Sequence, residues 1–290
     1  MTIALRGYLE LLRPANVVTA IADVLAGYAV AGRGQGSQLP WLLAATACLY
    51  AGGVVLNDYF DRAVDARERP ERPIPSGRVP AGAAGRLGGA LLAAGIFLAF
   101  RATMAAGVLA LALAACVVLY DARAKRHAFA GPLVMGTCRG LNLVLGMAAV
   151  PAAAAQHWGL GILPVVYIAA VTMVSRGEVH GGRKPIAAAA LAALGGVLAA
   201  LAVIAAQSRG SAIPALVIAA ALAWRVGLPF GAVYRDPRPE IIRRAVKAGV
   251  LSLVLLDAAI SAAYAGPVYA AIVLGTALVA GSLARLFAVT

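Results

Sequence analysis

The chain has 290 residues, of which 62% are hydrophobic and 13% are charged, and its mean hydropathy is +0.87. This composition leaves too little polar surface to cover a water-soluble globule, so it excludes an ordinary soluble enzyme and favours a protein embedded in a lipid bilayer. The formal net charge of +13 could indicate a nucleic-acid ligand, but the positions of the charges favour another explanation.

Apolar runs recur along the chain at about the 20 residues that a helix needs to cross a bilayer, and backbone hydrogen bonding in lipid requires such runs to be helical. The sequence therefore predicts an all-α, polytopic membrane protein. No polar linker divides the chain, so we predict a single membrane domain over residues 1–290. Nine spans are expected, or ten if the last run crosses separately: 14–32, 39–58, 84–100, 103–121, 130–150, 158–175, 186–206, 212–233, 244–264 and 267–287.

The positive charges lie mainly on one side of this predicted topology. Of the 25 lysines and arginines, 19 fall in the N-terminal segment and in four alternate loops, at 59–86, 122–129, 176–185 and 234–247. The positive-inside rule places these segments, and the N-terminus, on the cytoplasmic side of a cell membrane. The net charge is thus explained by topology and by attraction to anionic lipid or an anionic substrate, and no nucleic-acid partner is expected.

The second predicted span ends in an acidic and then basic stretch, 57-NDYFDRAVDARERPERPIPSGRV-79. Asn57, Asp61 and Asp65 are spaced four residues apart, so a helix places them on one face, with Asp58 beside them. Carboxylate and amide oxygens suit Mg²⁺, which binds phosphate oxygens at the same time. The alternative is a solvated helix end whose acids are neutralised by nearby arginines: Arg62, Arg67, Arg69 and Arg72.

The ends of the fourth and sixth predicted spans carry further polar groups on the same side. In 119-LYDARAKRHAFAG-131, Tyr120 and Lys125 could bind a phosphate oxygen. In 175-SRGEVHGGRKPI-186, the acid Glu178 is followed by two basic residues, Arg183 and Lys184. We expect the second and sixth spans to present these polar ends to each other across a cavity. The sequence contains no P-loop, HExxH or GxSxG pattern, so those soluble-enzyme chemistries are excluded.

Some polar residues fall inside the apolar runs. Arg139 and Asn142 lie one turn apart in 136-GTCRGLNLVLG-146, and an arginine in a membrane helix needs a partner or a wet cavity. They are candidate substrate-binding residues, with an acidic partner from another helix as the structural alternative. Asp257 could pair with Arg139 or Arg225, or line a pocket, and Asp23 raises the same question.

Together these motifs resemble the UbiA superfamily of intramembrane prenyltransferases. The stretch 57-NDYFDRAVD-65 matches every fixed position of the first motif of that family, NDxxDxxxD. The segment 71-ERPIPSG-77 looks like the tail of that motif, and 11-LLRPAN-16 is similar to the start of the first helix of the family. Tyr120 and Lys125 resemble the tyrosine and lysine that end its fourth helix.

The resemblance implies about nine helices around a central cavity under a cytoplasmic cap, and Mg²⁺-dependent transfer of a prenyl group from an allylic polyprenyl diphosphate to a membrane acceptor. It implies that Asn57, Asp58, Asp61 and Asp65 bind Mg²⁺, and that Tyr120 and Lys125 contact the diphosphate. Asp61, Asp65 and Glu178 are then the candidate catalytic residues. The acceptor is not encoded by any motif.

One departure from the family pattern leaves alternatives open. The family normally has a second aspartate-rich motif after its sixth helix, where this chain has Glu178 as the only acid. Either one Mg²⁺ suffices, or Arg183 and Lys184 replace the charge of a second metal ion, or the reaction differs. A protein that binds or moves an isoprenoid or lipid without transfer is the main alternative function, and a secondary transporter is a third.

Overall fold

The structure is a computed structural model that describes residues 3–32, 36–208 and 211–286, and within these ranges every regular element is helical. Arg33 and Arg209, which are not among the 19 basic residues counted on the cytoplasmic side, lie outside the described residues. The helices are α1 (Ile3–Leu12), α2 (Pro14–Val30), α3 (Leu39–Glu68), α4 (Ala81–Ala102), α5 (Met104–Ala122), α6 (Ala130–Met147), α7 (Pro151–His157), α8 (Ile162–Ser175), α9 (Lys184–Ala206), α10 (Ala212–Arg235), α11 (Pro239–Ala265) and α12 (Pro267–Leu286).

Each of the ten predicted runs coincides with a helix, so the predicted multi-pass, all-α fold is confirmed. In the described part of the chain, eight helical stretches are long and apolar enough to cross a membrane by length and composition. The other two long helices, α2 and α6, have 17 and 18 residues and lie mostly buried inside the bundle. The sixth predicted span, 158–175, begins with a 3-10 turn at Trp158–Gly161 that joins α7 to α8.

The central helix α6 lies in backbone contact with its neighbours on two sides. A Cβ atom added to Gly27 of α2 would overlap the carbonyl oxygen of Leu143, and one added to Gly146 would overlap that of Val24. On the other side, a Cβ at Gly136 would overlap the carbonyl oxygen of Val165 in α8. Because small residues let membrane helices approach closely, these glycines place α2, α6 and α8 together at the centre of the bundle.

Helices α3, α5, α8 and α10 all end at the same end of the bundle. We call it the basic end, because most of the lysines and arginines lie there. Here α3 continues to Glu68, ten residues beyond the predicted end of its span at residue 58. The following proline-rich segment folds back, so that Ile74 and Val79 pack in a small hydrophobic cluster with Leu11 of α1 and Val55 of α3. This cluster forms a cap over the end of α3.

Candidate functional site

The acidic motif occupies the last turns of α3, where the helix extends beyond its apolar part. Asn57, Asp61 and Asp65 all line one cavity of about 380 Å³ at the basic end, as expected for residues four apart on a helix. Asp58 lies off this face and is buried. The remaining lining residues come from the α1–α2 junction, from α3 and the segment after it, and from the α8–α9 loop: Arg13, Val64, Glu68, Arg69, Arg72 and Glu178.

Two arginines neutralise the acids nearest the cap. Asp58 accepts from the guanidinium of Arg13 at 2.6 Å and from that of Arg72 at 3.3 Å, and Arg72 also binds Asp65 at 2.8 Å. These pairs offset the repulsion between carboxylates on one helix. The predicted neutralisation by arginines is therefore present for Arg72, whereas Arg62 lies over the ring of Tyr59, 4.5 Å from its centroid.

Arg13 reaches the site because of an unusual backbone conformation. It has φ 45° and ψ 62°, the left-handed conformation, and among the described residues it is the single non-glycine with positive φ. Pro14 begins α2 immediately afterwards, and a residue before proline disfavours the helical region, so the chain turns sharply between α1 and α2. The sequence analysis noted the LLRPAN stretch but did not place Arg13 in the site. A polar residue before a helix-starting proline was the available signal.

The far side of the acidic face is in contact with the end of α5 and the 3-10 turn Ala124–Arg126. The ammonium of Lys125 lies 2.6 Å from a carboxylate oxygen of Asp61. Asn57 donates a hydrogen bond to Asp121 at 2.7 Å, and within the described part of the chain the other oxygen of Asp121 is buried with no hydrogen-bond partner. Tyr120 lies in the last turn of α5, next to Asp121 in the chain. Sequence analysis identified Tyr120 and Lys125 but missed Asp121, which lies between them in the same motif.

Glu178 faces the acidic end of α3 across the cavity, in the loop after α8. Burial raises the pKa of its carboxyl group, while the charges of Arg243 and Arg69 act in the opposite direction. Glu178 stands where the family has its second acidic motif, and the structure brings it to the same cavity as the first motif. It does not bring Arg183 and Lys184 there, because both are exposed at the start of α9 and are absent from the residues that line the cavity.

Arg139 and Asn142 lie apart from this cavity, in a buried polar network between α2, α3, α6 and α11. Arg139 forms an ion pair with Asp23 at 3.0 Å. Asn142 donates to the same carboxylate at 2.9 Å and accepts from Thr46 at 2.7 Å. The acidic partner that sequence analysis raised as the structural alternative for Arg139 is therefore present and is Asp23. The structure does not place either residue among those lining the cavity.

The residues at the cavity fit a Mg²⁺ ion that arrives with a phosphate group. Within the described residues, no three His, Cys, Asp or Glu side chains are close enough together to hold a metal ion by themselves. Mg²⁺ does not require this, because it usually keeps several waters and binds one or two carboxylates together with substrate phosphates. Asp61, Asp65 and the amide oxygen of Asn57 provide such a donor set on one wall, and the amide nitrogen of Asn57 is held by Asp121.

Comparisons with known proteins agree with this arrangement. Residues 20–226 match the model of the UbiA prenyltransferase family. The curated relatives include digeranylgeranylglyceryl phosphate synthases from Methanothermobacter thermautotrophicus, 36% identical over 141 residues, and from Ignicoccus hospitalis, 32% identical over 183 residues. These matches cover 48% and 61% of this chain, and 49% and 58% of the relatives, so the chain spans about half the length of the curated relatives it matches.

Solved structures show the same fold at low sequence identity. A UbiA homolog from Aeropyrum pernix K1 has a TM-score of 0.66 at 19% identity, over 84% of this chain and 96% of that one. A UbiA homolog from Archaeoglobus fulgidus bound to GPP and Mg²⁺ has a TM-score of 0.53 at 16% identity, over 95% and 99% of the two chains. With the family match extending over well over half of its length, the chain belongs to the UbiA prenyltransferase family.

Proposed function

We propose that this protein is a Mg²⁺-dependent prenyltransferase that moves a prenyl group from an allylic polyprenyl diphosphate to an acceptor in the membrane. The observation that carries the proposal is the cavity at the basic end, where the acidic face of α3 lies opposite Glu178 and beside Lys125. Family membership and the name shared by the relatives, digeranylgeranylglyceryl phosphate synthase, support a synthase of isoprenoid lipids.

In this proposal Asn57, Asp61 and Asp65 hold Mg²⁺ on the cavity wall. Mg²⁺, when bound, offsets the negative charge that develops on the departing diphosphate. Asp58 was expected as a further ligand, and that role requires it to exchange its 2.6 Å contact with Arg13 for the metal. While it is paired, Asp58 instead keeps Arg13 at the edge of the cavity.

The cations around the cavity are suited to bind the diphosphate itself. Lys125 forms an ion pair with Asp61 in the described state and can transfer this contact to a phosphate oxygen when Asp61 binds metal. The hydroxyl of Tyr120 is a second donor on the same side. Arg69 and Arg72 also line the cavity. Positive groups fixed where charge develops stabilise the leaving diphosphate more than they stabilise the bound substrate.

Glu178 is proposed to orient the acceptor or to receive its proton. It lies across the cavity from the acidic motif, and its raised pKa brings it closer to the working pH of a general base. The prenyl chain extends between the apolar helices, where water is excluded from the reactive allylic carbon. Cytoplasmic placement of the basic end is part of the proposal and is supported by the distribution of lysine and arginine.

The test uses the full chain in nanodiscs, incubated with Mg²⁺, allylic diphosphates of several lengths and a panel of acceptors that includes glyceryl phosphate lipids. We expect release of diphosphate and a prenylated product detected by mass spectrometry. Asp61→Asn removes one proposed ligand charge, and Asp236→Asn is the matched control because Asp236 is an exposed acid outside the cavity, paired with Arg238. Equal turnover in Asp61→Asn and Asp236→Asn contradicts the proposal.

Binding of a prenyl diphosphate without transfer is the second candidate. It is favoured by the position of Glu178, the one acid that the α8–α9 loop contributes to the cavity, whose charge interacts with those of Arg69 and Arg243. This alternative predicts saturable binding of a radiolabelled diphosphate, weakened by Asp61→Asn, with no product from any acceptor. Formation of product excludes it.

A further inference from the structure

Three arginines line the cavity together with the acidic face of α3. Arg13 comes from the α1–α2 junction, and Arg69 and Arg72 come from the segment that follows α3. Outside α3, the lining residues include one acid, Glu178. The part of the cavity that α3 does not form is therefore mainly basic.

Asp58 holds two of these arginines in place. Its buried carboxylate accepts from a terminal nitrogen of Arg13 at 2.6 Å and from a terminal nitrogen of Arg72 at 3.3 Å. The same nitrogen of Arg72 also donates to Asp65 at 2.8 Å. A guanidinium group carries five N–H donors, so both arginines keep donors that these bonds do not use. Asp58 thus anchors the two arginines at the cavity and leaves them able to bind an anion there.

The backbone of Arg13 is held in a conformation that is unfavourable for residues other than glycine. Its φ of 45° lies in the left-handed region, and such strain persists only where the surroundings hold it, often at ligand-binding sites. Here the ion pair with Asp58 and the proline that starts α2 fix the residue. The strained turn brings a guanidinium group to the cavity that a regular continuation of α1 would not place there.

Arg69 adds a third guanidinium group that is free to bind. It directly follows the last residue of α3 and is exposed, and within the described ranges it forms no ion pair. Guanidinium groups bind phosphate oxygens through two parallel N–H bonds, which fix the orientation of the phosphate as well as offset its charge. Three such groups around one cavity are therefore suited to a ligand with several negative charges, such as a diphosphate.

The acids of the cavity set a limit on the number of metal ions. Asp61 and Asp65 suffice for one Mg²⁺, which binds one or two carboxylates together with phosphate oxygens. The remaining acids, Glu68 and Glu178, share the cavity with the three arginines, whose charges repel a second cation. We infer that the site binds a single Mg²⁺ with each diphosphate, and that the three arginines provide the positive charge that a second metal ion would supply. This inference rests on the proposed function.

The number of bound metal ions tests the inference directly. The full chain in nanodiscs is titrated with Mn²⁺ at saturating geranyl S-thiolodiphosphate, an analogue that resists cleavage, and free Mn²⁺ is measured by electron paramagnetic resonance. We expect one analogue-dependent Mn²⁺ per chain, weakened in Asp61→Asn and retained in Asp236→Asn, which changes an exposed acid paired with Arg238. Two such ions per chain overturn the inference and leave the proposed function standing, whereas no bound Mn²⁺ contradicts both.

The affinity for the same analogue tests the arginines. Arg69→Met removes a charge that no ion pair of the described structure uses, so binding of the analogue at saturating Mn²⁺ should weaken about tenfold. Arg62→Met is the matched control, because Arg62 is exposed, lies over the ring of Tyr59 and is not among the residues that line the cavity. Equal affinities in the two variants overturn the inference.

Arg13→Lys provides a second test that does not depend on Arg69. The lysine keeps the positive charge beside Asp58 but lacks the fork of N–H donors, so the affinity for the analogue should fall several-fold while the Tm stays near that of wild type. A fall in Tm with unchanged affinity of the folded protein would make Arg13 a purely structural residue, and it would overturn the inference for this arginine.

Discussion

The acidic cavity and the buried network both combine aspartates with arginines in a largely apolar helical protein, but they differ in what surrounds the charges. At the cavity, Asp61 and Asp65 face an open space, and their partners Lys125 and Arg72 can exchange one contact for another. In the network, Asp23 is fully buried, and its ion pair is with Arg139, which is fixed within helix α6. The same residue types therefore serve ligand binding at one position and helix association at the other.

The largest effect that would separate the two regions is expected from Arg139→Met. It removes the cation that pairs with the fully buried carboxylate of Asp23, so the free energy of unfolding should fall by about 3–5 kcal/mol. The measurement is unfolding in detergent, followed by circular dichroism. Lys125→Met is the matched control at the cavity and should cost less than about 1 kcal/mol, because its partner Asp61 remains accessible to water. Similar losses of unfolding free energy in both variants would show that the two ion pairs contribute equally to stability.

The next effect is on activity. Asp65→Ala should lower kcat by about 10²–10³-fold, the usual cost of removing one group that stabilises charge in a transition state. Its Tm should stay near that of wild type, since Arg72 keeps its contact with Asp58. Diphosphate release at saturating substrate is the measurement. A large fall in Tm with proportionate loss of activity would instead assign Asp65 a structural role.

Asp121→Asn tests the residue that sequence analysis missed. The hydrogen bond that Asp121 accepts from Asn57 positions that amide, which lines the cavity proposed to hold the metal. We expect roughly a tenfold rise in the Mg²⁺ concentration needed for half-maximal activity, in the range typical of groups that orient metal ligands. Unchanged Mg²⁺ dependence would remove Asp121 from the site.

The smallest effect is expected for Glu178→Gln, and its sign follows from the raised pKa. Because burial lifts the pKa of Glu178 above its ordinary value of 4.5, the wild-type carboxylate is lost at a higher pH as the solution is acidified. If activity needs this carboxylate, the rate of wild type should fall as the pH is lowered. The variant should lack this fall in its pH–rate profile, and its maximal rate should be reduced by less than about tenfold. A pH–rate profile measures both.

The same titration has a consequence for stability. A pKa raised by folding contributes stability that is present below the unfolded value and lost as pH rises through the folded value. Relative to Glu178→Gln, the wild type should therefore become less stable as pH increases through this window. An opposite slope would mean that the charges of Arg69 and Arg243 outweigh burial at Glu178.

Much of the fold could be predicted because membrane helices are defined by length and apolarity. All ten predicted runs coincide with helices, and Asn57, Asp61 and Asp65, which the four-residue spacing predicted to share one helix face, line the same cavity. The end of α3 was missed, because residues 59–68 are polar and only the helical spacing of the motif indicated that the helix continues.

The remaining part of the site depends on contacts that local sequence does not encode. Arg13 reaches Asp58 from 45 residues away through a left-handed backbone conformation, and no pattern in LLRPAN specifies the direction of its side chain. Asp121 was missed because only Tyr120 and Lys125 of the same motif were interpreted as phosphate-binding residues. For Arg139 the choice between substrate and structural partner was left open, because pairing with Asp23 joins helices 116 residues apart.

The glycine contacts between α2 and α6 have a consequence for how the protein enters the membrane. In an isolated helix, Arg139 near the middle of α6 would cost about 2.5–3.5 kcal/mol for insertion into the bilayer, and α6 is not among the helices that qualify as spans by composition. Gly27 and Gly146 let α2 lie against α6 closely enough for Asp23 to meet that arginine. We therefore expect α6 to insert only when α2 is already in place, which makes biogenesis of the bundle depend on the order in which its helices are synthesised.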